Sequence, residues 1–349
     1  MFENKDNRTE LSELGEFGLI DIISKAVEIK NKSTLKGIGD DAAVIDPEGK
    51  LVVVSTDMLV EGIHFDLSFF PMKHLGYKSV VVNLSDIYAM NALPKQITMS
   101  IALSNRFSLE AIEEFYAGVH LACDQYEVDL VGGDTSSSNT GLIISVTAIG
   151  FAEKNDIVYR SGAEETDLIC VTGDLGAAYA GLQVLLREKK IHTESPGTQP
   201  DLGGKDYILE RHLKPEARWD IMERLKENEI KPSAMIDISD GLASELLHIC
   251  HSSEKGCMVY EDKIPIDHLT YSAAEELGLN PTMCALSGGE DYELLFTVKL
   301  SDYEKVKMIK GVSVIGHITE KSQGTFLNSA SGSLVPLEAQ GWDAFLNKS

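Results

Sequence analysis

Residues 51–57 read LVVVSTD, an apolar run that predicts a buried strand and that ends in two hydroxyl residues and a carboxylate. Open sheets commonly present functional groups at the carboxyl ends of their strands. A hydroxyl beside a carboxylate also suits a hard cation such as Mg²⁺. The same combination of aspartate with glycine or a small hydroxyl residue recurs at residues 39–43 (GDDAA), 83–86 (NLSD), 132–135 (GGDT) and 237–241 (DISDG). Carboxylates gathered into one site repel one another unless cations neutralise them. The sequence therefore predicts a site for several metal ions and for phosphate.

Four of the five motifs, taken alone, also have a purely structural interpretation. The carboxylates at 40–41 fit a polar turn, and residues 132–135 fit a tight turn between strands. Asp86 fits the polar stripe of an amphipathic helix, and Asp240 fits the N-cap of a helix that follows it. Because all five motifs occur in one chain, the metal interpretation is the favoured one.

The composition narrows the class of protein. A chain of 349 residues with 43% hydrophobic residues is long enough for two domains with separate cores. With 31 basic and 55 acidic residues its formal charge is −24, which opposes binding to nucleic acid or to an anionic membrane. No segment approaches the ~18 apolar residues of a membrane span, and the first residues lack a signal pattern. We therefore expect a cytoplasmic protein whose five cysteines are unpaired core residues.

Periodicity predicts alternating strands and helices in both halves, which is typical of an α/β or α+β protein of two domains. The boundary is expected near residues 151–165. Predicted helices lie at 17–29, 73–91, 108–126 with Ser108 as N-cap, 175–188, 215–228 and 242–251. Predicted strands lie at 96–103, 129–131, 142–150, 168–172 and 234–238. Two short strands are predicted at 42–45 and 51–55 around a turn at 46–49, and a surface loop is predicted at 193–205.

Three familiar motifs are excluded. Residues 37–42 match the dinucleotide fingerprint G-x-G-x-x-A, but a polar segment precedes them and a strand follows, so the required strand and helix are missing. The chain has no G-x-x-x-x-G-K-[ST] sequence. A calcium loop starting at Asp237 would need a glutamate where His248 stands. Any phosphate chemistry must use another scaffold.

Read in order, the motifs resemble those of the thiamine-monophosphate kinases, which share a superfamily with aminoimidazole ribonucleotide synthetase and selenophosphate synthetase. The resemblance rests on residues 15–17 (GEF), 37–43, 55–57, 62–65 (GIHF), 83–86, 132–135, 160–162 (RSG), 171–173 (VTG), 236–242, 287–294 (SGGEDYEL) and 341–343 (GWD). It implies a two-domain aminoimidazole ribonucleotide synthetase-like fold of the α/β (α+β) class. Residues 1–152 would bind ATP and Mg²⁺ and contribute strands to the barrel of a homodimer, and residues 153–349 would complete the active-site cleft.

The resemblance also implies roles for individual residues. The Mg²⁺ ligands would be Asp41, Ser55, Thr56, Asp57, Asp86, Asp134, Asp237 and Asp240. The ATP contacts would be Tyr116, Gly133, Asp134, Arg160 and Ser239. The pocket for thiamine monophosphate would contain His64, Glu290 and Trp342, whose indole can stack on the cationic thiazolium ring.

The implied reaction is in-line transfer of the γ-phosphoryl group of ATP to thiamine monophosphate, giving thiamine diphosphate and ADP. The acceptor is already an anion, so no general base is required. Charge neutralisation by metal bound at Asp57, Asp86 and Asp134 would take its place. Two alternatives remain: another ATP-dependent enzyme of the superfamily that acts on an amide or acyl oxygen, and a non-catalytic nucleotide-binding regulator.

Overall fold

A computed structural model describes residue 22, residues 25–36 and residues 44–339. The predicted site residues Asp41 and Trp342 lie outside these ranges, as do the motifs at 15–17, 37–43 and 341–343 and most of the helix predicted at 17–29. The described residues form two compact units. One contains the residues up to Ile87 and Ala92–Asn155, and the other contains Tyr88–Asn91 and the residues from Asp156 onward. The functional division into 1–152 and 153–349 stays a prediction.

Up to residue 152, the described part combines six strands with two long helices. The elements are β1 (Thr34–Lys36), β2 (Val44–Ile45), β3 (Leu51–Val60), α1 (Met72–Ala89), β4 (Leu93–Leu103), α2 (Leu109–Gln125), β5 (Asp129–Ser137) and β6 (Ile143–Ala152). Among the described strands, β3, β6, β4 and β5 form one sheet in that order, in which only β4 and β5 run parallel. Helix α1 is buried along most of its length, with Val80, Leu84 and Ile87 fully buried. A helix that is apolar on all sides belongs in a core.

The second unit carries a larger mixed sheet. Its described elements are β7 (Leu168–Thr172), α3 (Ala177–Glu194), α4 (Asp206–Leu213), α5 (Trp219–Glu227), β8 (Ala234–Asp237), α6 (Leu242–Ser253), β9 (Lys255–Tyr260), α7 (His268–Glu276), α8 (Pro281–Ser287), β10 (Leu294–Val298), α9 (Tyr303–Val306), β11 (Val312–Glu320), β12 (Thr325–Asn328) and β13 (Leu334–Pro336), with 3₁₀ turns at Glu261–Lys263, Leu300–Asp302 and Lys321–Gln323. Within this described part the strand order is β13-β12-β9-β11-β7-β10-β8, and only β12 and β9 are parallel. The side chains of Ile169, Ile236 and Leu246 meet in its apolar core.

The predicted two-domain α/β class is confirmed, because each unit combines helices with a mixed sheet. Strand β7 matches its prediction at both ends. Helix α2 begins after Ser108, whose hydroxyl accepts a hydrogen bond from Ala111 N at 3.4 Å, so this N-cap is confirmed as well. Of the described helices, none is long and apolar enough to cross a membrane. All five cysteines are buried and unpaired, as predicted.

The two short strands predicted at 42–45 and 51–55 around a turn are confirmed within the described residues, but they do not pair with each other. The turn itself is present, with Lys50 N donating to Pro47 O at 3.0 Å. Strand β2, however, pairs with β1, and β3 pairs with β6 from Leu51 opposite Ala152 to Val60 opposite Ile143. The residues of a turn are neighbours in the sequence and can be recognised locally. The partner of a strand lies far away along the chain, and the local sequence pattern does not identify it.

Three smaller predictions also need correction. Strand β5 continues to Ser137, so the Gly-Gly-Asp motif lies inside a strand and not in a turn after it. Helix α4 was not predicted, and α5 begins at Trp219 and not at Pro215. The N-cap of α6 is Gly241, so Asp240 does not cap this helix.

Candidate functional site

Asp57 lies on β3, facing helix α1. Its backbone N–H donates to Oδ1 of Asn83 at 2.9 Å, and the Nδ2 of Asn83 donates to Ser79 O at 3.0 Å within the helix. Burial, and then the negative charge of Asp86, raise the pKa of Asp57 to about 6. Two neighbouring carboxylates repel each other when both are charged. Each therefore favours its protonated form unless a cation binds between them.

Ser55 joins this pair from the same strand. Its hydroxyl donates a short hydrogen bond to Oδ2 of Asp86, which lies on α1. Ser55 and Asp57 are two residues apart and therefore share a face of the strand. The structure thus brings together three predicted metal ligands, one hydroxyl and two carboxylates, between β3 and α1.

Thr56 points the other way. It is exposed, its hydroxyl donates to Val146 O at 3.0 Å, and the hydroxyl of Thr147 on the neighbouring strand donates to it at 3.0 Å. Strand alternation separates it from Ser55 and Asp57. The sequence pattern grouped the three because they are adjacent, but adjacent residues on a strand face opposite sides of the sheet.

Gly133 and Asp134 lie on β5 beside β4. Gly133 is opposite Met99, in the row that continues through Val146 to Asp57. Asp134 is one residue further along, opposite Ser100, and is exposed. Adjacent residues of a strand face opposite sides of the sheet. Asp134 and Asp57 therefore lie on opposite faces of this sheet.

A methyl group does not fit at Gly133. A Cβ there would lie 1.9 Å from Met99 O, whereas at Gly132 the nearest atom would be the Thr98 methyl at 3.7 Å. We expect Gly133→Ala to lower the free energy of unfolding by about 1–3 kcal/mol, because β5 must move away from β4. The matched control Gly132→Ala should stay within about 1 kcal/mol of the wild type. Urea unfolding measures both, and equal effects would contradict the close approach.

His64 and Tyr116 are the other predicted contacts in the first unit. His64 follows β3 in a turn and is half-buried, and its Nδ1 accepts a hydrogen bond from Val60 N at 3.0 Å. Tyr116 is buried on α2, with its ring edge-on to Phe115 at 5.4 Å between centroids. Burial raises the pKa of Tyr116. The predicted roles of both residues stay predictions.

In the second unit, the motif at residues 237–241 joins β8 to α6. Asp237 is buried at the end of the strand, and Ser239 and Asp240 are half-buried. Burial raises the pKa of Asp240, His248 opposes this shift and the charge of Glu290 adds to it. Asp240 and Glu290, which the sequence placed in the metal and substrate sets, are therefore electrostatic neighbours.

Glu245 is a residue of this group that the sequence reasoning missed. Its Oε1 accepts a hydrogen bond from Asp240 N at 3.2 Å, and it interacts with Ser239 and with the predicted ATP ligand Arg160. Burial raises its pKa to about 7. An acidic residue in the first turn of a helix is common, so the position of Glu245 does not by itself mark a buried site residue.

The raised pKa of Glu245 predicts a pH dependence of stability. Between the ordinary value of 4.5 and about 7, the folded protein holds a proton that the unfolded chain has released. Stability from this group is thus fully present below pH 4.5 and is lost as the pH rises through about 7. We expect the free energy of unfolding, measured in EDTA, to decrease between about pH 5 and about pH 8. The decrease should be about 1–3 kcal/mol larger in the wild type than in Glu245→Gln. Parallel curves would show that Glu245 does not titrate in this range.

Glu290 lies in a segment with an unusual backbone. Gly289 and Glu290 have φ values of +73° and +60°. A Cβ at Gly289 would lie 2.5 Å from Ser239 O. Glu290 N donates to the same oxygen at 2.7 Å, and Tyr292 N donates to Ile238 O at 2.9 Å. The predicted substrate segment is therefore bonded directly to the predicted metal and ATP segment.

The described residues contain no group of three or more His, Cys, Asp or Glu side chains placed to hold a metal ion. Asp57 and Asp86 form a pair, with Ser55 as a third oxygen donor. Hydroxyl and carboxylate oxygens are suitable Mg²⁺ ligands, and the raised pKa of Asp57 indicates negative charge that a cation would compensate. The residues present therefore fit a divalent cation.

The fold defines the class of protein. Residues 39–152 match the family description "AIR synthase related protein, N-terminal domain". Hydrogenase maturation protein HypE has a similar structure, with a TM-score of 0.71 at 20% identity over 93% of this chain and 98% of the HypE chain, and this likeness shows the fold alone. The chain thus has the fold of the AIR synthase-related proteins.

Closer relatives identify the family. The chain is 36% identical to the thiamine-monophosphate kinase of Aquifex aeolicus, over 96% of this chain and 99% of that protein. It is 34% identical to the thiamine-monophosphate kinase of Bacillus subtilis, over 95% of this chain and all of that protein. The structure of AaThiL complexed with AMPPCP and TMP matches with a TM-score of 0.74 at 34% identity, covering 97% of this chain and all of the other. This chain belongs to the thiamine-monophosphate kinase family.

Proposed function

We propose that this protein transfers the γ-phosphoryl group of ATP to thiamine monophosphate, giving thiamine diphosphate and ADP. The observation that carries the proposal is the 36% identity to a thiamine-monophosphate kinase over 96% of the chain. A related structure complexed with AMPPCP and TMP supports the pairing of an ATP analogue with this acceptor. The acidic pair of Asp57 and Asp86 suits phosphoryl transfer, which depends on positioning and charge neutralisation.

In this proposal, Asp57, Asp86 and Ser55 hold Mg²⁺. The wider predicted set, which would hold further Mg²⁺ ions, adds Thr56 and Asp134 on the other face of the sheet, Asp237, Asp240 and, outside the described residues, Asp41. Bound Mg²⁺ supplies positive charge that offsets the repulsion between donor and acceptor phosphates. Asn83 orients Asp57 through its backbone, and α1 holds Asp86 beside Ser55.

The other residues bind the two substrates. Gly133 lets the backbone approach a phosphate, and Arg160 supplies a guanidinium group for bidentate recognition of phosphate. Ser239, Asp134 and Tyr116 complete the proposed ATP set. His64, Glu290 and Trp342 bind thiamine monophosphate. None of these side chains acts as a general base, because the attacking phosphate oxygen is already anionic.

A homodimer is part of the proposal, and we propose that its strands form a shared barrel. Strand β3 lies at an edge of its sheet among the described strands and exposes Val52, Val54 and Met58. An exposed apolar row on an edge strand favours pairing with another chain. Sedimentation should give twice the 38.1 kDa mass of one chain. A cytoplasmic location is proposed from the sequence alone.

A panel of acceptors tests the proposal. Purified protein with ATP and Mg²⁺ is offered thiamine monophosphate, thiamine or precursors of the aminoimidazole pathway in separate reactions, and ADP and phosphorylated products are quantified. We expect turnover with thiamine monophosphate alone, since an alcohol acceptor lacks the charge that the site neutralises. ADP formed only with another acceptor would favour a different enzyme of the superfamily. ATP binding without any product would favour a nucleotide-binding regulator.

A further inference from the structure

Helix α4 was not predicted from the sequence, yet it supplies the side chain beside Glu290. Nδ1 of His212 lies 3.2 Å from Oε2 of Glu290. His212 is 3% exposed and Glu290 is 28% exposed, so a buried imidazole faces a carboxylate that solvent and ligands can reach. We take this separation as a polar contact between the imidazole ring and the carboxylate.

Three further contacts fix the position of α4. Tyr207 donates a short hydrogen bond to Oδ2 of Asp174, and Arg211 Nη2 donates to Asp174 O at 3.0 Å. Nη1 of Arg211 lies 3.0 Å from Oε1 of Glu293, which is buried. His212 therefore follows two residues of α4 whose side chains are bonded to neighbouring segments.

The backbone of Glu290 is constrained as well, and its carboxylate is an electrostatic neighbour of Asp240. The hydrogen bond from Glu290 N to Ser239 O places this residue beside Asp240, whose pKa rises partly because of the Glu290 charge. Repulsion from Asp240 would turn the carboxylate of Glu290 away from the segment at residues 237–241. An imidazole Nδ1 at 3.2 Å opposes that movement and favours one orientation.

We propose that His212 is a positioning residue, which orients the carboxylate of Glu290 toward the cationic thiamine group of the substrate. The proposal rests on the proposed function, because it takes Glu290 to be a substrate contact. Precise orientation of a charged contact is needed for affinity, since a carboxylate turned away loses its attraction to a cation. His212 itself does not touch the substrate.

A double-mutant cycle tests this role through binding, which does not depend on turnover. The dissociation constant of thiamine monophosphate is measured by calorimetry with Mg²⁺ for the wild type, His212→Leu, Glu290→Gln and the double variant. We expect about tenfold weaker binding for each single variant and no further loss in the double variant, because His212 acts through Glu290. His212→Asn retains a donor near the position of Nδ1 and should bind within about threefold of the wild type.

The outcomes separate this inference from the proposed function. Multiplicative losses in the double variant, or wild-type affinity in either single variant, would overturn the role of His212. Equal weakening of AMPPCP binding in His212→Leu would show general damage to the protein and would also overturn it. If His212→Leu does not fold, the comparison uses His212→Asn and its double variant with Glu290→Gln. Weak binding by the single variant His212→Asn would then contradict the role. Coupled binding losses in a protein without turnover would support the positioning role while refuting the kinase.

Discussion

Asp57→Asn is expected to lower kcat by about 100-fold or more while leaving the metal-free protein as stable as the wild type or more stable. The substitution keeps the shape of the side chain but removes one of the two negative charges at the proposed Mg²⁺ site. The charge of Asp57 is unfavourable in the folded protein, where burial and Asp86 raise its pKa to about 6. Removing that charge should therefore raise the free energy of unfolding at about pH 8 by about 1–2 kcal/mol in EDTA.

Steady-state kinetics at saturating Mg²⁺ and urea unfolding in EDTA measure the two effects. The control is Asp156→Asn, which removes the same charge from an exposed position and should leave both quantities close to the wild type. A kcat near the wild-type value in Asp57→Asn would contradict the metal role. A large loss of stability would instead indicate that Asp57 is needed for folding.

Glu293→Gln is expected to destabilise the protein by about 3–5 kcal/mol. The Glu293 carboxylate is 1% exposed and is ion-paired with both Arg211 and Arg218, and it accepts a hydrogen bond from the hydroxyl of Thr172. A neutral glutamine leaves two half-buried guanidinium groups with less compensating charge. Urea unfolding gives the change in stability, and circular dichroism shows whether the variant folds.

The matched control is Glu276→Gln. Glu276 also bridges two cations, with Arg187 Nη1 at 2.8 Å and Lys205 Nζ at 2.5 Å, but its side chain is 49% exposed. Ion pairs at the surface are screened by water, so this substitution should cost less than about 1 kcal/mol. Similar losses in the two variants would contradict the assignment of Glu293 to a buried network that supports the segment at residues 287–294.

Local signals in the sequence were sufficient for many elements. The apolar run at residues 51–54 identified β3, the hydroxyl of Ser108 marked the start of α2, and the run at 168–172 matched β7. These signals depend on a few neighbouring residues, such as a side chain that accepts a hydrogen bond from a free N–H group. They carry no information about distant partners, which is why the pairing of β2 with β1 was missed.

The same limit applies to the candidate site. The sequence identified Ser55, Thr56 and Asp57 as a unit, but the alternation of the strand separates Thr56 from the other two. It did not identify Glu245, since a carboxylate inside a helix resembles any solvated glutamate until its burial is known. His212 was missed for a similar reason: its partner, Glu290, is distant along the chain.

The most direct test of the kinase assignment is a ³¹P NMR time course of the wild-type protein with ATP, Mg²⁺ and thiamine monophosphate. We expect the monophosphate signal to be replaced by the two coupled signals of thiamine diphosphate, with one ADP formed for each thiamine diphosphate and no inorganic phosphate. Release of inorganic phosphate without thiamine diphosphate, or an unchanged monophosphate signal while ATP is bound, would contradict the account.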